Sequence, residues 1–138
     1  MSALSRDIKI RFEHCDPAGI VFYPHYFEMF NQMVEDFFDE LIGINFQTMH
    51  QEWKLGVPLV HNETDFLGAS RIGDILHFTL KLTRIGSKSI TFLIEASKDD
   101  QVRVRTTLVL ACVSLGDTLK GQDFPPEFKK RLEPFLTK

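Results

Sequence analysis

A chain of 138 residues is long enough for one domain and too short for two ordinary ones, and 43% hydrophobic residues supply a real core, which excludes disorder. A net charge of −3 with no long run of Lys or Arg lacks the basic footprint of a dedicated nucleic-acid binder. Two cysteines, Cys15 and Cys112, are too few for a disulfide framework; no apolar run approaches the ~20 residues of a membrane span, and Met1 to Lys9 holds no apolar signal core, so the expectation is one cytoplasmic domain over 1–138 with reduced thiols.

Ile8, Ile10 and Phe12 alternate with Lys9, Arg11 and Glu13, which predicts a half-buried strand over 8–13. It ends at His14-Cys15-Asp16-Pro17-Ala18-Gly19, where Pro17 cannot donate to a ladder and Gly19 permits a sharp turn. A helix follows from Pro24, suited to a first helical position, to Ile42, with Gly43 as its stop. Its apolar residues cover an arc of roughly 220°, wider than the stripe of a surface helix, so it must be covered on several sides. Glu28, Gln32, Glu35, Asp36 and Asp39 form the polar strip, and Asn31 falls just inside the apolar arc.

Phe46 to Lys54 predicts a short second helix, ended by Gly56 and Pro58. Leu59 to Gly68 is extended, and Arg71 to Asp74 is a turn. Leu76, Phe78, Leu80 and Leu82 alternate with polar residues, as do Ile90, Phe92, Ile94 and Ala96. Ile85 to Lys88 and Asp99-Asp100 read as turns. Val102 to Leu115 reads as one long strand, apolar on both faces in its second half, and a tail helix runs from Pro125 to near Leu132. Strand, long helix, then strands joined by short turns imply an α+β domain with one antiparallel sheet wrapped around the over-apolar helix.

The chemically informative stretch is Asp16 to Pro24. It sets a carboxylate a few residues before a helix N-terminus, whose backbone N–H groups are unpaired and carry partial positive charge. An acyl carbonyl resting on the N–H near Tyr23 would be open to attack by Asp16 or by a water that Asp16 activates; one such donor is worth about 3–4 kcal/mol to an oxyanion. Because Asp-Pro commonly starts turns, a carboxylate that only caps a turn is the competing account. Cys15 beside His14 suggests a thiol nucleophile, but strand neighbours point to opposite faces. The five histidines show no metal-ligand spacing, so no metal is expected. His25, one residue past Pro24, is near enough to assist, or simply faces solvent. His61 and Glu63 share a strand face. The run Val109 to Val113 suits a buried strand better than a ligand cavity.

The segment Phe12-Glu13-His14-Cys15-Asp16-Pro17-Ala18-Gly19-Ile20-Val21-Phe22-Tyr23-Pro24 resembles the signature of the 4-hydroxybenzoyl-CoA thioesterase family. The likeness continues more weakly through Gly56-Val57-Pro58-Leu59-Val60, Gly73-Asp74 and Gly86-Ser87-Lys88-Ser89. The resemblance implies a hotdog fold, a five-stranded antiparallel sheet around one long helix, and an acyl-CoA thioesterase working as a homodimer or homotetramer with interfacial active sites. It implies Asp16 as nucleophile or general base and the Tyr23 N–H as polariser of the thioester carbonyl. Ser87, Lys88 and Ser89 fall where relatives hold the pantetheine arm and CoA phosphates; an ordinary polar hairpin turn is the alternative. Asn31 takes a pocket position where some relatives place an aspartate that reads a substrate hydroxyl. The expected substrate is an aromatic or medium-chain acyl-CoA, with Phe22, Phe27, Phe30 and Asn31 around the acyl group and His25 nearby. No cofactor is expected, since coenzyme A is part of the substrate, and no nucleic-acid or membrane partner. A non-catalytic module binding acyl-CoA or acyl-carrier protein is the competing function. A hotdog dehydratase would need a histidine and carboxylate in a motif absent here.

Overall fold

In the computed structural model, which describes residues 2–137, a five-stranded antiparallel sheet curls around one long helix. Met1 and Lys138, the ends of the expected single domain, lie outside the described residues. The main strands are β1 (Leu4–Lys9), β3 (Leu59–Phe66), β4 (Ile75–Ile85), β5 (Ser89–Lys98) and β6 (Gln101–Ala111), in the spatial order β1-β4-β5-β6-β3. A second sheet joins β2 (Leu55–Gly56), β7 (Val113–Leu115) and β8 (Leu119–Gly121). Helices α1 (Pro24–Asp36), α2 (Phe46–Gln51) and α3 (Pro126–Leu132) complete the chain.

The alternation in the central strands does what a period of two requires. Leu76, Phe78, Leu80 and Leu82 of β4 and Ile90, Phe92, Ile94 and Ala96 of β5 are all fully buried. Register aligns them in rows across the sheet: Leu82 opposes Phe92, which opposes Leu108. The Asp99-Asp100 turn has both residues at positive φ, the backbone that a tight hairpin needs.

Helix α1 covers the inner face of the sheet. After Asp36 it widens into a π-helical turn over Phe37–Ile42, and Gly43 stops it at φ +78°. Phe37 and Phe38, adjacent in sequence, are both fully buried there. The Phe37 ring meets Phe92 at 5.1 Å between centroids, and Phe38 meets Phe128 of α3 at 5.9 Å. Burying each such phenyl group stabilises the fold by about 1.5–3 kcal/mol. The helix is thus covered on several sides, as its wide apolar arc demands.

Three expectations need correction. The first strand lies at Leu4–Lys9, not 8–13: Lys9 is the last residue that β4 can pair, opposite Ile75, and the chain then turns into a 3-10 helix at Phe12–His14. Phe12 is consequently 83% exposed. His14 and Cys15 therefore do not sit on a strand, and the opposite-faces argument does not apply to them. The long strand 102–115 breaks at Cys112, because Val113 leaves β6 to pair with Gly56 and Gly121 of the small sheet.

Candidate active site

The loop after the first 3-10 turn is built around Asp16. Its N–H donates to the Ile20 carbonyl at 3.0 Å, the Gly19 N–H donates to its carbonyl at 2.9 Å, and the Ala18 N–H donates to its side-chain Oδ1 at 2.8 Å. Gly19 supplies the positive φ of +79° that closes this turn. The carboxylate therefore is a turn acceptor, yet Oδ2 makes no hydrogen bond among the described residues.

The same loop delivers the chain to α1. Tyr23 is the residue before the helix and offers no side-chain cap. The N–H groups of His25 and Tyr26 fold back onto the carbonyls of Phe22 and Tyr23, and Pro24 has none. The Tyr23 N–H forms no hydrogen bond among the described residues. Asp16 and Tyr23 line one cleft of about 480 Å³, together with Tyr26, Phe66 and the strap Leu67–Ser70. Phe66 forms a wall, its ring 6.2 Å from Tyr23 and 6.0 Å from Tyr26.

Arg103 fixes the strap. Its carbonyl accepts from the N–H groups of Leu67 and Gly68, and its Nη1 donates to the Ala69 carbonyl at 2.6 Å and the Ser70 hydroxyl at 3.3 Å. The Ser70 carbonyl in turn accepts from the Val21 N–H at 2.9 Å, tying the strap to the Asp16 loop. Asp74 holds Arg103 at 3.5 Å and Lys98 at 3.1 Å. The Arg71 N–H bond to Asp74, followed by its two cationic neighbours, keeps that carboxyl below the usual range despite partial burial. Nothing in the local pattern announces Arg103, which lies far along the chain. The small residues Gly68-Ala69-Ser70 after a strand were the available signal for the strap.

The expected acyl-pocket residues separate. Phe22 stands in the Asp16 cleft's wall, whereas Phe27, Phe30 and Asn31 line a second, apolar cavity of about 470 Å³ with Val34, His50 and Leu59. Asn31 Nδ2 donates to Glu35 Oε1 at 2.9 Å. Leu110 and Val113 also line this cavity, so the 109–113 run does more than fill the core. His25 is not in the Asp16 cleft. It opens on a small polar pocket with Glu13, His14 and Glu28. Ser87 and Lys88, both exposed, lie in the β4–β5 turn, and Ser89 opens β5. Ser89 opposes Ala111, whose N–H donates to Pro58, so the turn stands at the apolar cavity's end of the sheet.

Other nucleophiles and ligands are poorly placed. Cys112 is buried, and burial pushes its thiol up to about 11. The Cys15 thiol donates to the Arg11 carbonyl at 3.5 Å. Among the described residues no group of three or more His, Cys, Asp and Glu is arranged to hold a metal ion. No helix among them is long and apolar enough to cross a membrane.

The family model of the thioesterase-like superfamily matches residues 10–132. The chain is 25% identical over 124 residues to a 1,4-dihydroxy-2-naphthoyl-CoA hydrolase of Nostoc punctiforme, covering 90% of this chain and 82% of that one. Its fold matches a crystal structure of a 1,4-dihydroxy-2-naphthoyl-CoA thioesterase from Synechocystis with TM-score 0.82 at 20% identity, covering 93% of each chain. It also matches a thioesterase-superfamily protein from Jannaschia with TM-score 0.88 at 24% identity, covering 99% of this chain and 95% of that one.

Proposed function

The chain belongs to the thioesterase-like superfamily and is an acyl-CoA thioesterase of the hotdog fold, and we propose that Asp16 and the Tyr23 N–H carry the hydrolysis. One observation supports this above the rest: a carboxylate oxygen and a backbone N–H, both without a partner among the described residues, line the same cleft. The thioester carbonyl oxygen accepts from the Tyr23 N–H, which stabilises the charge that develops on it. Asp16 either attacks the carbonyl carbon, giving a mixed anhydride that water cleaves, or takes the proton from an attacking water. Both routes yield the free acid and coenzyme A. Neither needs a cofactor, since coenzyme A enters as part of the substrate.

The acyl group belongs in the apolar cavity, which at about 470 Å³ suits an aromatic or medium-chain group. The relatives named for a dihydroxynaphthoyl thioester make the aromatic class the first to test. Within one chain, however, the cavity and the Asp16 cleft flank opposite ends of β3, Leu59 on the first and Phe66 on the second. Seven steps at about 3.4 Å put these ends roughly 24 Å apart, although the two spaces adjoin along α1, where Tyr26 of the cleft stacks on Phe30 of the cavity at 6.2 Å. β3 is a sheet edge, and nearly all its residues are exposed. A second copy paired antiparallel along β3 would bring the partner's Leu59 end beside the Phe66 end of the first. A homodimer, alone or doubled into a tetramer, then completes each site, with Ser87, Lys88 and Ser89 arriving alongside the partner's cavity to meet the CoA arm and phosphates. The two unpaired thiols agree with a cytoplasmic setting.

The test is release of free thiol from a panel of aryl and medium-chain acyl-CoAs. Turnover by the wild type that is lost in Asp16→Asn supports the reading. Tight acyl-CoA binding with no thiol release would replace it with a non-catalytic binding module.

A further inference from the structure

Among the described residues two polar side chains line the apolar cavity, Asn31 of α1 and His50 of α2; the rest of its lining is apolar or glycine. Asn31 has already committed an amide hydrogen, since Nδ2 donates to Glu35 Oε1 at 2.9 Å. His50 has committed nothing. Its ring stacks on Phe46, one helical turn earlier, with centroids 5.9 Å apart and 26° between the planes, and neither ring nitrogen has a hydrogen-bond partner among the described residues.

Helix α2 holds that ring in place. The Asn45 side chain caps the helix by accepting from the Thr48 N–H at 2.8 Å, and the fully buried Met49 pins it to the core. His50 comes next, open to solvent on one side and lining the cavity on the other. The helix itself does not ask for histidine, because glutamine or lysine is the better helix former. A basic ring in the last turn also suits the helix dipole, and that is the competing account of this residue.

We propose that His50 is a specificity-determining residue, which hydrogen-bonds a hydroxyl carried by the acyl group. The inference rests on the acyl group occupying this cavity. Apolar walls with very few placed polar groups are the usual means by which such a cavity fixes orientation. A hydroxyl gives one hydrogen bond and accepts others, and an imidazole ring can do both, through different nitrogens. A carboxylate substituent fits less well. Glu35 sets a negative charge beside Asn31, and with Nδ2 engaged Asn31 has its oxygen left to offer. A bare hydrocarbon ring fills the space and leaves the imidazole nitrogens to water. Because His50 is exposed, that loss is modest, so the preference is graded and not absolute.

The experiment measures thiol release from benzoyl-CoA, its monohydroxylated isomers and 4-carboxybenzoyl-CoA, together with melting temperature, on full chains. His50→Phe keeps the ring and its stack on Phe46 but loses the nitrogens. His50→Gln keeps a donor and an acceptor without the ring. Leu119→Trp narrows the same cavity from an exposed position. The wild type is expected to prefer one hydroxybenzoyl isomer over benzoyl-CoA. In His50→Phe the KM for that isomer should rise about 3- to 10-fold, the worth of one hydrogen bond between neutral groups, with kcat, benzoyl-CoA turnover and melting temperature unchanged. His50→Gln should retain part of the preference. An unchanged preference in His50→Phe overturns the proposal. So does an equal loss on both substrates, which would make the ring a packing element, and so does a wild-type preference for the carboxylated substrate. If Leu119→Trp slows every aryl-CoA while His50→Phe is normal, the role of His50 alone is lost. If Leu119→Trp changes nothing, the acyl group lies elsewhere, and the reading beneath the inference is lost with it.

Discussion

The Ala18 N–H donates to Asp16 Oδ1 at 2.8 Å, so the carboxylate that closes the turn before α1 uses one oxygen for the turn and leaves Oδ2 without a hydrogen bond among the described residues. The turn-capping role of Asp16 and the catalytic role proposed for it are thus compatible. One oxygen fixes the loop and so aims the other.

This division of labour separates two substitutions. Asp16→Asn retains an oxygen for the Ala18 N–H, so it should fold with an unchanged melting temperature while thiol release falls about 10³-fold. Asp16→Ala should lose the same activity and in addition about 1 kcal/mol of stability, because the Ala18 N–H loses its acceptor. Activity assays alongside thermal melts distinguish the two. Equal melting temperatures for both variants would show that the turn does not depend on this bond.

Val60 lies on the β3 edge with 59% of its surface exposed. In an isolated chain Val60→Lys should therefore cost almost nothing. Along a seam between two copies it would set a charge against an apolar edge. Light scattering should show the wild type as a dimer or tetramer and Val60→Lys as a monomer, with thiol release lost in step. A fully active wild-type monomer would contradict the two-chain site.

Asp74 contributes to stability in a pH-dependent way. Its folded-state carboxyl titrates below the ordinary aspartate value, because the Arg71 N–H, Lys98 and Arg103 favour the charged form. The contribution is therefore fully present above the unfolded value and is lost as pH falls through the lowered folded value. Asp74→Asn should destabilise the protein by about 1–3 kcal/mol near neutrality, since it leaves the partly buried Arg103 without its counter-charge. The difference in melting temperature between wild type and variant should hold steady above about pH 5 and shrink below pH 4. A gap that widens in acid would reverse the sign of this assignment.

Gly43 ends the π-helical turn in the left-handed region, and among the described residues the only atom that an added Cβ would meet is Arg131 Nη1 at 3.6 Å, an ordinary contact. The cost of Gly43→Ala is then backbone strain alone, about 1–2 kcal/mol. The melting temperature should drop by roughly 5 °C, with turnover per folded molecule unchanged. An undiminished melting temperature would mean that the turn re-forms without the left-handed residue.

Local pattern revealed those elements whose partners share the same pattern. The alternations in β4 and β5 were legible because each strand supplies the other's neighbour, and Gly43 because the helix stop is a property of one residue. Phe12 misled because alternation says nothing about where a pairing partner runs out: β4 begins at Ile75, and residues past Lys9 have no strand to pair with. The break at Cys112 was hidden for a similar reason. The run beyond it stays apolar, yet pairs with β2 and β8 instead of the main sheet. In the candidate site, that Asp16 and Tyr23 border one cleft was legible because one loop carries both. Phe22 and Asn31 were grouped into one pocket because one precedes α1 and the other lies in it, and only the fold puts them in different cavities. Arg103 needed coordinates, since an ion pair between a turn and a distant strand leaves no periodic trace.

The β3 edge contains neither lysine nor proline, the residues that commonly discourage stray strand pairing. Leu59, Val60, Phe66 and the adjoining Leu67 stand open along it. A newly made chain thus presents a ready template to any extended segment in a crowded cell, and the pairing of two copies that we propose along this edge would also protect it against aggregation. Selection acting on this strand would answer to proteome hygiene as well as to catalysis, so a lysine introduced there for solubility would trade away turnover.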